Sequence, residues 1–239
     1  MMQPWIGTSG FQYAEWKGKF YPEKMPASKM LPFYAERLAT TEINYSFRRI
    51  PSAGTIQAWA AATPERFKFS FKAPQTITHF AKLRDAAETV RYFHSVIAAL
   101  GDKLGAVLFQ LPASFKRDVP LLDAFLGEAP KTMRVAFEFR DASWFEDEVF
   151  EILRKHNAAL CIAENEELAT PPVATADFGY LRLRREVYRS ADIKRWAEAI
   201  FQHADEWREA FIYFKHEETG VGPKFAGQMI AALESKAAR

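Results

Sequence analysis

The charged residues of this chain gather at the ends of short stretches in which apolar and polar side chains alternate. The stretch Met133-Arg-Val-Ala-Phe-Glu-Phe-Arg-Asp-Ala-Ser-Trp144 shows the pattern best. As a β-strand it puts Ala136, Glu138 and Arg140 on one side and Val135, Phe137 and Phe139 on the other. Phe67-Lys-Phe-Ser-Phe-Lys72 does the same and ends on Lys72. Glu42 and Asn44, Gln110, Glu164, Arg182 with Arg184, and Lys215 close further stretches of this kind. These residue types suit acid–base chemistry on an anion. Arg140, Arg182 and Arg184 carry planar forks that match a phosphate or carboxylate. Lys72 and Lys215 can stabilise developing negative charge. Glu138, Glu42 or Glu164 can exchange a proton if burial raises a pKa. Glu138 ranks first, because Arg140 is its neighbour on the same face.

In this set three Glu face five Lys or Arg, so two positive charges lack partners. An anionic ligand would supply the missing charge. The competing reading is a self-satisfied salt-bridge plug. Both rest on strand parity, since a slip of one residue sends every side chain to the opposite face.

Two loops add to the set. His79 follows Lys72 in a loop with Thr76 and Thr78. After the last strand, Thr219-Gly-Val-Gly-Pro-Lys224 places Gly220 and Gly222 before a proline suited to a helix start, where free N–H groups attract anions. His216 lies just before it. His94, His156 and His203 fall in helical segments and read as structural. No His-x-x-x-His pattern, Gly-x-Gly-x-x-Gly or Walker loop is present, so the sequence lends a metal no support and no cofactor motif is detected. Cys161, the single cysteine, falls opposite Glu164 and is expected beneath a helix rather than acting as a nucleophile.

These residues must be positioned by about eight strands, most followed by a helix. Helices are expected after Ser28 as cap, with Pro32 in the first turn; after Pro51-Ser52; after an Asp85-Ala-Ala-Glu88 capping box; and over residues 119–126, 149–156, 192–201 and 224–233. Alternating β and α units argue for a parallel sheet, and eight of them favour a closed TIM-type (β/α)₈ barrel over residues 1–239 as a single domain. A barrel of this kind forms its site at the C-terminal strand ends. The long aromatic loop after strand 1, residues 10–27, reads either as a plug for one barrel end or as a lid.

The chain has 239 residues, 49% of them hydrophobic, and a net charge of +2. That is ample for one core and gives no footprint for nucleic acid or membrane. With one cysteine, no signal-peptide pattern and no apolar run of membrane length, a cytoplasmic protein is expected.

Gly7-Thr-Ser-Gly-Phe11, Trp16 with Gly18 and Phe20-Tyr-Pro22, Glu42-Ile-Asn44 with Phe47-Arg48, Phe69-Ser-Phe-Lys72 with Thr78-His79, Phe109-Gln-Leu-Pro112, and Phe137-Glu-Phe-Arg140 with Trp144 together resemble the YecE-like family, domain of unknown function 72. The resemblance covers essentially the whole chain and implies a TIM-type barrel; it implies no reaction. The last third departs from the family's usual pattern. Arg182-Leu-Arg-Arg185 stands where members usually show Arg-x-His-Gly, and Lys215-His216 replaces a usual Asn pair. The chain thus reads as a subgroup with a more basic mouth.

The leading expectation is an enzyme, of hydrolase, lyase or isomerase type, acting on a small anionic substrate, phosphorylated ones included. Its catalytic set is Glu138, Arg140, Glu42 and Lys72. Asn44, His79, Gln110, Glu164, Arg182, Arg184, Lys215, His216, Gly220 and Gly222 would bind the substrate. The alternatives are a glycoside-cleaving hydrolase using two Glu, and a non-catalytic module for a nucleotide or nucleic-acid end, which the near-neutral charge disfavours.

Overall fold

Strand parity decides which side chains meet at the centre, and every strand follows it. In the computed structural model, which describes residues 2–164, 169–216 and 218–237, eight strands close into one barrel in sequence order, each parallel to its neighbours. They are β1 (Gln3–Ser9), β2 (Thr40–Ile43), β3 (Lys68–Lys72), β4 (Leu104–Gln110), β5 (Val135–Glu138), β6 (Ala159–Glu164), β7 (Phe178–Leu183) and β8 (Glu209–Phe214). The helices are α1 (Ala27–Ala35), α2 (Ala53–Ala61), α3 (Ala87–Ile97), α4 (Val119–Glu128), α5 (Asp147–Lys155), α6 (Ser190–Gln202) and α7 (Gly222–Ala237). Every strand but β6 is followed by a helix among the described residues. No helix among them is long and apolar enough to cross a membrane.

Two apolar layers result. The outer one joins strands to helices: Phe69 stacks on Trp59 of α2 at 6.0 Å, and Phe109 meets Phe125 of α4 edge-on at 5.2 Å. The inner one fills the barrel, with small residues on one side (Ala106, Ala136, Cys161) facing Tyr180, Phe211 and Tyr213 on the other. Such small-to-large complementarity lets side chains fill a narrow barrel without voids. The phenol of Tyr213 lies 2.8 Å from Ser70 Oγ and 2.9 Å from Thr40 Oγ1, so its polar end is satisfied indoors.

Several local expectations are corrected. Helix α1 starts at Ala27 with Pro26, not Ser28, in the cap position, and Pro32 lies beyond the first turn. The Asp85–Glu88 capping box does not form: Lys82, Leu83 and Asp85 take left-handed backbone angles, and α3 starts at Ala87 after Ala86. Ser52 does cap α2, accepting from Thr55 N at 3.2 Å. Cys161 points into the barrel rather than beneath a helix. Burial pushes its thiol well up, which leaves it inert.

The aromatic loop is a plug. Trp16 and Tyr21 are buried and stacked at 6.0 Å, and Phe20 meets Phe33 and Tyr34 of α1 edge-on. Trp16 Nε1 donates to His216 O (3.2 Å) and Lys19 Nζ to Thr219 O (2.9 Å), which ties the loop to the segment after β8.

One glycine is required by close approach. A Cβ on Gly7 would sit 1.8 Å from Thr40 O on the adjoining strand. Gly7→Ala is therefore expected to destabilise the barrel by about 3 kcal/mol, the upper end for an overpacked interior. Urea unfolding at pH 7 checks this; an unchanged midpoint would mean that β1 and β2 are not so closely paired.

Candidate functional site

Glu42, Glu138 and Arg182 are inward-facing residues near the C-terminal ends of β2, β5 and β7, and all three are buried, at 0%, 0% and 1% exposure. The Arg182 guanidinium bridges the two carboxylates. Its Nη1 donates to Glu138 Oε2 at 2.5 Å, and its Nη2 and Nε donate to Glu42 Oε1 at 2.8 and 3.1 Å. The remaining lone pairs are also taken. Tyr180 Oη donates to Glu42 Oε2 (2.6 Å), and Ser9 Oγ donates to Glu42 Oε1. Asn44 Nδ2 in turn donates to Ser9 Oγ at 2.7 Å. Gln110 lies level with Glu138 in the β4–β5 ladder and donates to its Oε1 at 2.7 Å.

Above this triad lies a second tier of cations. Arg140 Nε and Arg184 Nη2 each reach Glu138 Oε1 at 3.2 Å. Lys72 Nζ stands 3.8 Å from the centre of the Phe47 ring, a cation–π contact. The His79 ring meets the same Phe47 edge-on at 4.9 Å, and its Nδ1 lies 2.9 Å from Thr78 Oγ1. The Arg184 Nε is buried and has no hydrogen-bond partner among the described residues.

The titration of these groups follows from charge density. Burial alone would raise Glu138, but Arg182, Arg184 and Arg140 together outweigh it and hold the carboxyl far below the usual range. Arg182 is pushed further up: burial opposes its charge, and Glu42 and Glu138 overcome that. Lys72 moves the other way, down to about 8, first through burial and then through the charge of Arg182. His79 is lowered by burial, Lys72 and Arg140. Among the described residues positive charge is thus in surplus: Lys72, Arg140, Arg182 and Arg184 face Glu42 and Glu138.

Nine of the expected residues converge here: Glu42, Asn44, Lys72, His79, Gln110, Glu138, Arg140, Arg182 and Arg184. Others do not. Glu164 is buried on the outer face, where Arg195 (3.0 Å) and Trp196 Nε1 (2.9 Å) of α6 hold it. Its parity is that of Leu160 and Ile162, so it ends its strand without entering the mouth. His216 Nε2 donates to Arg185 O at 2.6 Å, and its ring packs on Tyr188 and Phe225. Gly222 lies against Thr8 and His216, and Gly220, at φ +68°, against Lys19 and Trp16. The start of α7 is therefore outside the charge cluster. Lys215 lies in a rim groove of about 600 Å³ shared with Arg184, Glu186 and Thr219.

Tyr180 was not foreseen, though its place two residues before Arg182 on the same strand face gives it away. Phe47 carried no signal beyond the family resemblance. The histidines of the helical segments serve structure: His156 Nε2 lies 2.6 Å from Asp123 Oδ1, and His203 stacks on Trp207. Among the described residues, no three His, Cys, Asp or Glu side chains are grouped so as to hold a metal ion.

A family model described as "Protein of unknown function DUF72" matches residues 5–239. The UPF0759 protein YecE of Escherichia coli K12 is 32% identical over 113 residues, 47% of this chain and 42% of YecE. The UPF0759 protein YunF of Bacillus subtilis 168 is 32% identical over 165 residues, 62% of this chain and 54% of YunF. The matched segments thus span about half the length of these relatives. Among solved structures, a DUF72 family protein of Thermotoga maritima has a TM-score of 0.86 at 26% identity, covering 97% of this chain and 99% of its own. A DUF72 family protein of Enterococcus faecalis has a TM-score of 0.78 at 20% identity, over 98% of each chain. The latter likeness is one of fold.

Removing the bridging cation would leave two carboxylates buried side by side. Arg182→Met is expected to cost about 3–5 kcal/mol at pH 7, as for other broken buried pairs. The depressed Glu138 contributes stability that is fully present above its ordinary pKa of 4.5 and is lost as pH falls below it toward the folded value. Urea melts between pH 7 and pH 3 should therefore lose stability steeply in the parent and less so in Arg182→Met. Parallel pH profiles would show that Arg182 does not hold Glu138 ionised.

Proposed function

This chain belongs to the DUF72 family, and within that barrel we propose that its mouth binds a small anionic molecule, a phosphate or carboxylate compound, and acts on it by proton transfer. One observation carries the reading: the positive surplus lies on Lys72, Arg140 and Arg184, above two carboxylates already bridged by Arg182. An anion seated there would lie against these three cations and take the hydrogen bond that Arg184 Nε leaves open. Such contacts to ionised groups are short and roughly twice as strong as neutral ones.

The roles within the set divide by charge state. Glu138 is held ionised, so it anchors the cations and does not donate a proton. Glu42 anchors Arg182 by accepting from its Nη2 and Nε. Lys72, brought down to about 8, and His79, whose lowered pKa favours the neutral imidazole, are the groups able to exchange protons there. Arg140, with a side chain 39% exposed, is the cation an incoming anion meets first.

The glycoside-cleaving alternative is disfavoured. It needs one protonated carboxyl and open space between two Glu, whereas one guanidinium lies between Glu42 and Glu138, and Glu164 is tied to α6. A nucleic-acid module is disfavoured too. Of the cations that continue around the rim, Arg84 pairs with Asp118 and Lys116 with Asp141.

Titration with inorganic phosphate, a sugar phosphate and citrate tests the reading by thermal unfolding. At a hundredfold excess over Kd, binding should stabilise the fold by about 2.7 kcal/mol. Arg140→Ala should weaken it at least tenfold, with the stabilisation read against that variant's own ligand-free melt. Affinity should fall as pH rises through about 8, because protonated Lys72 attracts the anion and its neutral form does not. No stabilisation by any of the three anions, or equal stabilisation of Arg140→Ala, overturns the reading.

A further inference from the structure

We propose that Lys72 is a carbonyl-reactive amine: the anion taken at the mouth carries an aldehyde or ketone, as a 2-oxo acid does, and its carbonyl carbon condenses with Lys72 Nζ to give an imine. The proposal deepens the anion reading above and rests on it.

The placement of Lys72 differs from that of two other half-buried lysines, Lys103 and Lys68. Lys103 Nζ is fastened by Ala60 O and Thr63 O at 2.6 and 2.7 Å, and Lys68 Nζ by Asp102 O at 2.5 Å. Those are structural lysines, with acceptors supplied. Among the described residues Lys72 has neither an acceptor nor a paired carboxylate; its head group rests on the face of Phe47 at 3.8 Å. The charged groups around it come from four elements: Glu42 on β2, Glu138 and Arg140 at β5, Arg182 on β7, and His79 from the π-helical turn at Thr76–Phe80. Both carboxylates already serve Arg182. An ammonium in that setting is short of counter-charge, and a neutral amine relieves the shortage; this is how desolvation and a neighbouring cation activate a lysine nucleophile. The lowered Lys72 pKa agrees with this geometry.

The chemistry balances without any further reagent. The Nζ lone pair forms the N–C bond, and the carbonyl π electrons move onto oxygen, where Arg140 and Arg184 stabilise the developing charge. His79 shares the Phe47 ring with Lys72 and is oriented by Thr78 Oγ1. In its neutral form it accepts a proton from nitrogen and returns it to that oxygen, giving a neutral carbinolamine. A proton from solvent then converts the hydroxyl into a leaving water, the C–O bond breaks, and a protonated imine remains. One amine, one carbonyl and one proton yield one iminium and one water. The cation so formed lies within the field of Glu42 and Glu138.

Reductive trapping tests this. The full chain is incubated with pyruvate, glyoxylate or dihydroxyacetone phosphate, with acetone as the neutral control, then treated with sodium borohydride and mapped by peptide mass spectrometry. The expected result is a single reduced adduct on Lys72 with at least one anionic carbonyl and little with acetone. Lys72→Arg keeps the charge but not the nucleophile: it should lose the adduct. His79→Ala should slow trapping. Phosphate stabilisation without any Lys72 adduct overturns the imine and leaves the anion site standing. An adduct spread equally over exposed lysines such as Lys24 and Lys29, or equal trapping of acetone, also overturns it. Loss of phosphate stabilisation in the parent chain would instead strike the anion reading itself.

Discussion

A guanidinium held between two buried carboxylates is the constraint that the centre of this barrel obeys. Arg182 cannot shed its proton, so burial requires partners on every side. Glu42 and Glu138 supply the charge, and Ser9, Tyr180 and Gln110 take the remaining lone pairs. The ladder registers set Glu42 level with Ser9, and Gln110 level with Glu138. A buried polar network of this type is worth having only when complete, because each unsatisfied member is penalised in a low-dielectric interior. Strand closure, inner-layer volume and polar satisfaction are therefore one problem with one solution.

That solution reverses the usual division of labour between carboxylates and amines. Three arginines converge on Glu138, so the carboxyl most central to the site is kept ionised and loses its capacity as an acid. The same excess of positive charge, with burial, moves Lys72 toward neutrality. Lys72 and His79, both shifted toward their neutral forms, each contact Phe47. Neighbouring residues at the end of β7 show how fine the placement is. Arg184 reaches inward to Glu138, while Arg185 turns outward to Asp192 at 3.4 Å.

The surroundings of the mouth are stiffened from one side. The plug formed by residues 10–27 has its own aromatic core and is fastened through Trp16 and Lys19 to the segment after β8. Gly220 accommodates this junction with a left-handed backbone, φ +68°, against Trp16 and Lys19. The glycines there serve the attachment of α7, where a lone Gly-x-Gly-Pro had suggested an anion cradle.

Much of the architecture was legible along the chain. The period-two alternation of Phe67–Lys72 and Val135–Arg140 and the polar strand ends are local properties, and each strand carries them whether or not its neighbours are present. They sufficed for eight parallel strands, a closed barrel and nine converging residues. What the chain alone could not decide was which of two faces a terminal charge takes when both could receive it. Glu164 and Cys161 alternate as expected, yet Cys161 faces inward and Glu164 outward, because Arg195 and Trp196 on α6 are thirty-odd residues away in sequence and adjacent only after folding. Nor could charge state be read from residue type. A Glu and a Lys carry ordinary pKa values in the unfolded chain. Only the tertiary structure, by crowding cations around both and removing water, makes one a fixed anion and the other an amine near neutrality.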